Sequence, residues 1–144
     1  MIKKVLFVCR GNVARSQFGE VIFRNLHPET EVSSAGTRVF SKDSTSRHGQ
    51  KLFELGDVAS NVIFSMKEKG FDVSNNVRIQ LDKDMVDKSD LVIVMAEKDN
   101  WPEYLNNNPK VIFWDVLDPK GTDLDFHRKI RDEIEALVKS IKIN

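Results

Sequence analysis

Lys4-Val5-Leu6-Phe7-Val8-Cys9-Arg10-Gly11-Asn12-Val13-Ala14-Arg15-Ser16 decides how the rest of the chain is read. Lys4–Val8 is a short, continuous apolar run, as in a strand buried on both faces. Beyond Ser16, the residues Phe18, Val21, Ile22 and Leu26 recur at i, i+3, i+4 and i+8, one face of a helix that starts near Ala14 and stops at Pro28. A strand feeding a tight loop and then a helix gathers loop amides and a helix N-terminus into an anion-binding concavity. Gly11 and Asn12 are the residue types that best tolerate a left-handed backbone. Arg15 supplies a planar fork that matches two oxygens of a tetrahedral anion. Cys9 then lies on the floor of a positive bowl, where the thiolate is favoured as nucleophile. Ser16 can donate a hydrogen bond to its sulfur. The pair Cys9 and Arg15 alone is a weak signal, but strand, Gly-Asn, and helix start together are specific. The nucleotide-binding loop is a different motif, since its lysine after a second glycine is missing.

Outward from this stretch, apolar runs alternate with helical patterns. Thr30–Ser34 is a strand candidate. Ala35 to about Ala59 reads as a long loop with one helical turn near Gln50–Leu55. Ser60 is placed to cap a helix running to Lys69, with Gly70 as its stop. Asp82–Lys88 is a short helix, Leu91–Met95 and Lys110–Phe113 are strands, and Asn106–Pro109 is a turn. Thr122 and Asp125 have capping-box spacing, and Phe126, Ile130, Ile134, Leu137 and Ile141 form the apolar stripe of a last helix. Strands separated by helices imply right-handed crossovers and a mostly parallel sheet with helices on both faces. Ligands of such sheets bind beyond the carboxyl ends of the strands, so Cys9 and Asp118 are expected at the same end.

The 144 residues make one ordinary domain, expected to span 1–144. The chain is 40% hydrophobic, with 22 Lys+Arg against 22 Asp+Glu and a formal net charge of zero. That balance argues against a general nucleic-acid or membrane-surface binder. The longest apolar run, Leu91–Ala96, is far too short to cross a bilayer, and Val5–Cys9 is too short for a secretory signal. One cysteine excludes an intrachain disulfide and fits a reducing cytoplasm. His27, His48 and His127 are scattered without ligand spacing, so neither a metal nor another cofactor is expected.

The segment Val5–Ser16 resembles the signature of the low-molecular-weight protein tyrosine phosphatases and the related thioredoxin-coupled arsenate reductases. Ser34-Ala35-Gly36-Thr37 is similar to the family's Ser-Ala-Gly-Thr, Asp90–Met95 to its third strand, and Asp118-Pro119 to its general-acid Asp-Pro. The resemblance implies a three-layer α/β/α fold with a four-stranded parallel sheet in the order 2-1-3-4 and a phosphate-binding loop after strand 1. It further implies that residues Arg10, Gly11, Asn12, Val13, Ala14, Arg15 and Ser16 bind phosphate. Cys9 is implied as the nucleophile that forms a phosphocysteine, Arg15 as the stabiliser of equatorial oxygens, and Asp118 as acid and then base. Asn12, Ser16 and Ser34 match positions that brace the loop. Asp115 is a rival acid on the same loop, and the Asp-Pro match favours Asp118.

Phosphotyrosine-specific members place an aromatic pair after Asp-Pro, where this chain has Lys120-Gly121. Phe40, Trp101 and Tyr104 are the candidates for a replacement wall. Arg10 adds a cation at the rim, and Asn75 falls near a loop-bracing histidine of animal members. Thr37–Ala59 lies where the family keeps its substrate-selecting loop and is expected to alter specificity or act as a lid. Met66–Ser74 and Phe126–Ile134 look more like the arsenate reductases. Those enzymes pass a disulfide along two further cysteines, which this chain lacks, so only an external thiol could resolve an arsenate adduct. The leading expectation is hydrolysis of a phosphate monoester, carried by a protein or a small molecule. The alternatives are an arsenate reductase or transferase using an external thiol, and a phosphoryl carrier or phosphate-binding module.

Overall fold

The computed structural model describes all 144 residues. Strands β1 (Lys4–Cys9), β2 (Glu31–Gly36), β3 (Leu91–Val94) and β4 (Val111–Phe113) form one parallel sheet in the order β2-β1-β3-β4. Val5–Val8 has no exposed surface because β1 is flanked by strands on both edges and covered on both faces. Side chains of a strand alternate between faces. Val5 and Phe7 of β1, with Leu91 and Ile93 of β3, enter a core shared with α1 (Arg15–Leu26), α2 (Asp57–Lys67) and α4 (Leu124–Lys139). Leu6 and Val8, with Val92 and Val94, enter a smaller core closed by Val86 of α3 (Lys83–Asp87) and by Leu105. Three layers result. The parallel register aligns the carboxyl ends of β1, β3 and β4, and the segments carrying Cys9, Glu97 and Asp118 emerge there.

Helix α1 can lie directly on β1 because residue 19 is glycine. A Cβ there would come within 2.6 Å of the Phe7 ring.

Several boundaries differ from the reading of the sequence. Leu26 is 40% exposed and lies off the apolar face of α1, whose buried positions are Phe18, Val21, Ile22 and Phe23. Strand β2 runs on to Gly36, two residues past the expected Ser34, because Ala35 and Gly36 continue the pairing with Val8 and Cys9. Helix α2 starts at Asp57, not after Ser60, whose hydroxyl instead bonds back to the Asp57 carbonyl at 3.0 Å. The cap of α4 is Asp123, which accepts from the Phe126 amide at 2.9 Å. Thr122 is not the cap; its hydroxyl donates to the Pro119 carbonyl at 2.5 Å.

The long segment after β2 is tied to the phosphate loop and to the stretch around Arg78–Gln80. Thr37 and Arg38 amides donate to the carbonyls of Cys9 and Arg10 at 2.9 and 2.8 Å. Phe40 and Ser46 form an antiparallel bridge, Gln80 accepts from the Val39 amide at 2.8 Å, and Gly49 donates to the Arg78 carbonyl. Its one helical turn is a 3-10 turn at Leu52–Leu55.

Helices α2 and α4 are clamped at Glu68, which takes three bonds from Arg128 (3.0, 3.1 and 2.6 Å) and one from Arg131 (2.8 Å). The Arg128 contact, followed by that of Arg131, holds the Glu68 carboxyl down at about 2. A carboxylate whose folded value is depressed adds stability above its unfolded value, about 4.3, and loses it as the pH falls through the folded value. The Tm difference between wild type and Glu68→Gln is therefore expected in full at pH 5–7, to shrink as the pH falls below about 4 and to be gone only below the folded value of about 2. Thermal unfolding of both proteins across this range is the measurement, and a pH-independent difference rules the clamp out.

Candidate active site

The phosphate-loop backbone turns at Asn12, whose φ is 55°. Gly11 is not left-handed, contrary to expectation; a Cβ there would make only an ordinary contact with Arg78 at 3.6 Å. The glycine that the loop needs is Gly36. A Cβ at that position would lie 2.6 Å from the Arg10 carbonyl and 2.9 Å from the Asn12 amide nitrogen. The end of β2 thus presses on the loop from outside.

Cys9 is 3% exposed at the end of β1. Its sulfur accepts from the Asn12 amide at 3.3 Å and lies 3.0 Å from Ser16 Oγ. The direction of the second bond follows from its neighbours. Asn12 Oδ1 accepts from the Ile79 amide at 2.8 Å, which fixes the orientation of the carboxamide. Asn12 Nδ2 then donates to Ser16 Oγ at 2.7 Å and to Ser34 Oγ at 3.0 Å. Since Ser16 Oγ is an acceptor there, its own proton is free for Cys9, and the Ser34 proton goes to Glu20. Every bond reaching the sulfur is donated to it, which suits an anion. Asn12, Ser16 and Ser34 are each at most 5% exposed.

Arg15 opens α1 and is 2% exposed. Its Nη1 donates to the carbonyls of Met95 (2.5 Å) and Val116 (3.0 Å) and to Glu97 (3.0 Å). Nη2 reaches Glu97 at 3.5 Å and lies 3.6 Å from Asp118 Oδ2. Burial opposes the charge, but Cys9, Glu97 and Asp118 outweigh it and hold the Arg15 pKa above its ordinary value. Burial acts against the Glu97 charge too, and the Arg15 hydrogen bond overrides it, so Glu97 sits below the usual carboxylate range. Nη1 carries the short bonds, Nε makes none and Nη2 only the long contact to Glu97, so the Nε and Nη2 edge is the one an incoming oxyanion can take by displacing that contact.

Asp118 and Asp115 are both exposed. Only Asp118 is within 4.0 Å of Arg15, and its other oxygen is fixed by the Lys120 amide at 3.0 Å. Arg10 is exposed, while Gly11 and Val13 are half-buried and Ala14 is buried. Of the aromatic wall candidates, Trp101 is half-buried with its indole N–H on the Ala96 carbonyl, and Tyr104 packs on the smaller core. Phe40 is exposed, with the Arg38 guanidinium 5.3 Å from its ring centroid. No three His, Cys, Asp or Glu side chains gather in the manner of a metal site.

Four bracing residues lay outside the motif and were missed. Gln17 donates to the Asn12 carbonyl at 3.2 Å and is held by Asn76, also at 3.2 Å. Asn75 is exposed, so Asn76 does the bracing expected near it. Arg78 holds the Gly11 carbonyl at 3.0 Å, and Glu97 holds Arg15. Only Gln17 had a usable signal, as a polar side chain in the first turn after the loop.

This geometry agrees with what the chain is similar to. It is 32% identical over 142 residues to "Arsenate reductase 2" of Staphylococcus haemolyticus, covering 97% of this chain and 96% of that protein. Its fold superposes on the tyrosine phosphatase AmsI of Erwinia amylovora with a TM-score of 0.76 at 25% identity, over 96% of this chain and 90% of the other. It superposes on the YwlE arginine phosphatase of Geobacillus stearothermophilus with a TM-score of 0.73 at 26% identity, over 94% and 88%. A family profile, low molecular weight phosphotyrosine protein phosphatase, matches residues 4–142. That span runs from the first residue of β1 past the end of α4, and the chain belongs to the low-molecular-weight phosphotyrosine protein phosphatase family.

Proposed function

We propose that this protein hydrolyses phosphate monoesters through a phosphocysteine on Cys9. The observation that carries the reading is the Cys9 sulfur receiving the Asn12 amide and the Ser16 hydroxyl, with Asp118 across Arg15 from it. In this reading the sulfur attacks phosphorus in line and the ester oxygen leaves with a proton from Asp118. Water then attacks the phosphocysteine, with Asp118 taking its proton and the thiolate leaving. Arg15 and the amides of residues 10–16 hold the equatorial oxygens through both steps. Ser34 and Ser16 support the loop through Asn12. No metal or other cofactor takes part. Val13 and Phe40 offer apolar surface for an aryl ester, and Arg10 and Arg38 favour acidic surroundings on the substrate, whether protein or small molecule. A lone thiol suits a reducing compartment, and we assign the protein to the cytoplasm as one domain. No helix is long and apolar enough to cross a membrane.

The test is hydrolysis of an aryl phosphate in the presence of EDTA, expected with a burst of one aryl alcohol per Cys9. The arsenate reductase relative favours a second reading, in which the same bowl takes arsenate and an external thiol attacks the Cys9 adduct. Absence of aryl phosphate turnover, together with thiol-dependent release of arsenite, transfers the assignment to that reaction.

Asp118→Asn is expected to reduce kcat by on the order of a hundredfold for alkyl phosphates and far less for nitrophenyl phosphate, whose leaving group needs no proton. Equal slowing of both substrates removes Asp118 from the acid role and returns Asp115 to contention.

A further inference from the structure

Arg78 lies between α2 and α3, is 6% exposed, and has no carboxylate beside it. Buried arginines ordinarily pair with acids, as Arg131 does with Glu68 and Asp132. Arg78 instead bonds two neutral acceptors, the Gly11 carbonyl through Nε at 3.0 Å and Gln50 Oε1 through Nη1 at 2.8 Å. Burial lowers its pKa, Cys9 raises it in part, and Arg47 lowers it further. No carboxylate compensates this cation.

The contact with Gly11 has a second consequence. In a trans peptide the carbonyl of one residue and the amide of the next point in opposite directions. The Gly11 carbonyl faces Arg78, and the Asn12 amide of the same peptide plane faces Cys9 Sγ at 3.3 Å. Arg78 thus both orients and polarises a donor of the bowl.

We propose that Arg78 is a positioning residue of the phosphate loop, a cation buried without a counterion so that bound phosphate supplies the opposite charge. This rests on the reading that an oxyanion binds above Cys9. The charge acts alongside Arg15 and the rim residue Arg10, and against Glu97 and Asp118. Arg47, from the segment packed on Arg78, adds to the field around it.

The test is binding of inorganic phosphate, measured by calorimetry, to wild type, Arg78→Gln and Arg78→Lys. Arg78→Gln keeps a hydrogen-bonding side chain and loses the charge; its phosphate Kd is expected to rise on the order of tenfold. Arg78→Lys keeps the charge and is expected to stay within about threefold of wild type. Without phosphate, the Tm of Arg78→Gln is expected at or above that of wild type, because an uncompensated buried charge is gone. Unchanged phosphate affinity in Arg78→Gln with a lowered Tm makes Arg78 an ordinary brace and overturns the inference, as does equal weakening in both variants. No binding to wild type overturns the oxyanion site itself, and with it this inference. Normal binding to wild type and to Arg78→Gln leaves that site standing and removes only the role of Arg78.

Discussion

Cys9→Ser is expected to lower kcat for aryl phosphate hydrolysis by about four orders of magnitude or more, with the burst of aryl alcohol lost. The donors that surround the sulfur would surround the serine oxygen in the same way, from the Asn12 amide and Ser16. Two donated hydrogen bonds do not turn an alcohol into an alkoxide at neutral pH, and no side chain in contact with residue 9 is placed to remove its proton. Ser16, whose Oγ accepts from Asn12 Nδ2, is a neutral hydroxyl far too weakly basic to act as that base. The oxyanion bowl, by contrast, survives the exchange of one atom. Binding of phosphate or vanadate should persist while turnover disappears, and the Tm should shift by no more than a few degrees because one atom is exchanged and the bonds from Asn12 and Ser16 can be kept. Retention of more than about a hundredth of wild-type kcat would show that phosphorus is attacked by something other than this sulfur.

The parts of this molecule legible in the sequence are those written contiguously. Strand β1, the loop and α1 form one unbroken stretch, and the residues holding the sulfur, Asn12 and Ser16, lie within it. Ser34 and Asp118 were reached through short local patterns at strand ends. Arg78 and Glu97 carry no such mark. Arg78 sits between Val77 and Ile79 in a segment without periodicity, and what makes it part of the site is a carbonyl 67 residues away. Glu97 reads as one more acid in a charged turn, Glu97-Lys98-Asp99, until β3 brings it to Arg15. The capping errors have a similar cause. Thr122 and Asp123 are both good caps by type, and the choice was made by the Pro119 carbonyl, which drew the Thr122 hydroxyl away. Leu26 fitted the helical spacing, but α1 is buried only from Arg15 to Phe23 and runs past the core at its end.

Arg15→Lys should cost on the order of a thousandfold in kcat/KM, although the charge is unchanged. The guanidinium does two jobs with different edges. Nη1 is held by the Met95 and Val116 carbonyls and by Glu97, which locks the head group under the loop. The Nε and Nη2 edge carries only the 3.5 Å contact to Glu97 and can exchange it for two parallel bonds to an oxyanion. A lysine has one nitrogen for both jobs. Placed among two carbonyls and Glu97, the ammonium finds three acceptors for its three protons and has no reason to leave them for the substrate. Drawn toward the phosphate, it strands buried carbonyls and leaves Glu97 unpaired beside the developing negative charge. Either position weakens the transition state more than the ground state, because charge spreads over the equatorial oxygens only during transfer. The expected signature is a large fall in kcat with a smaller rise in KM, and a comparably weakened affinity for vanadate. A variant that keeps kcat/KM within tenfold of wild type would mean that the loop amides carry the phosphate alone, and that Arg15 serves chiefly to tie α1 to the strand ends through Met95 and Val116.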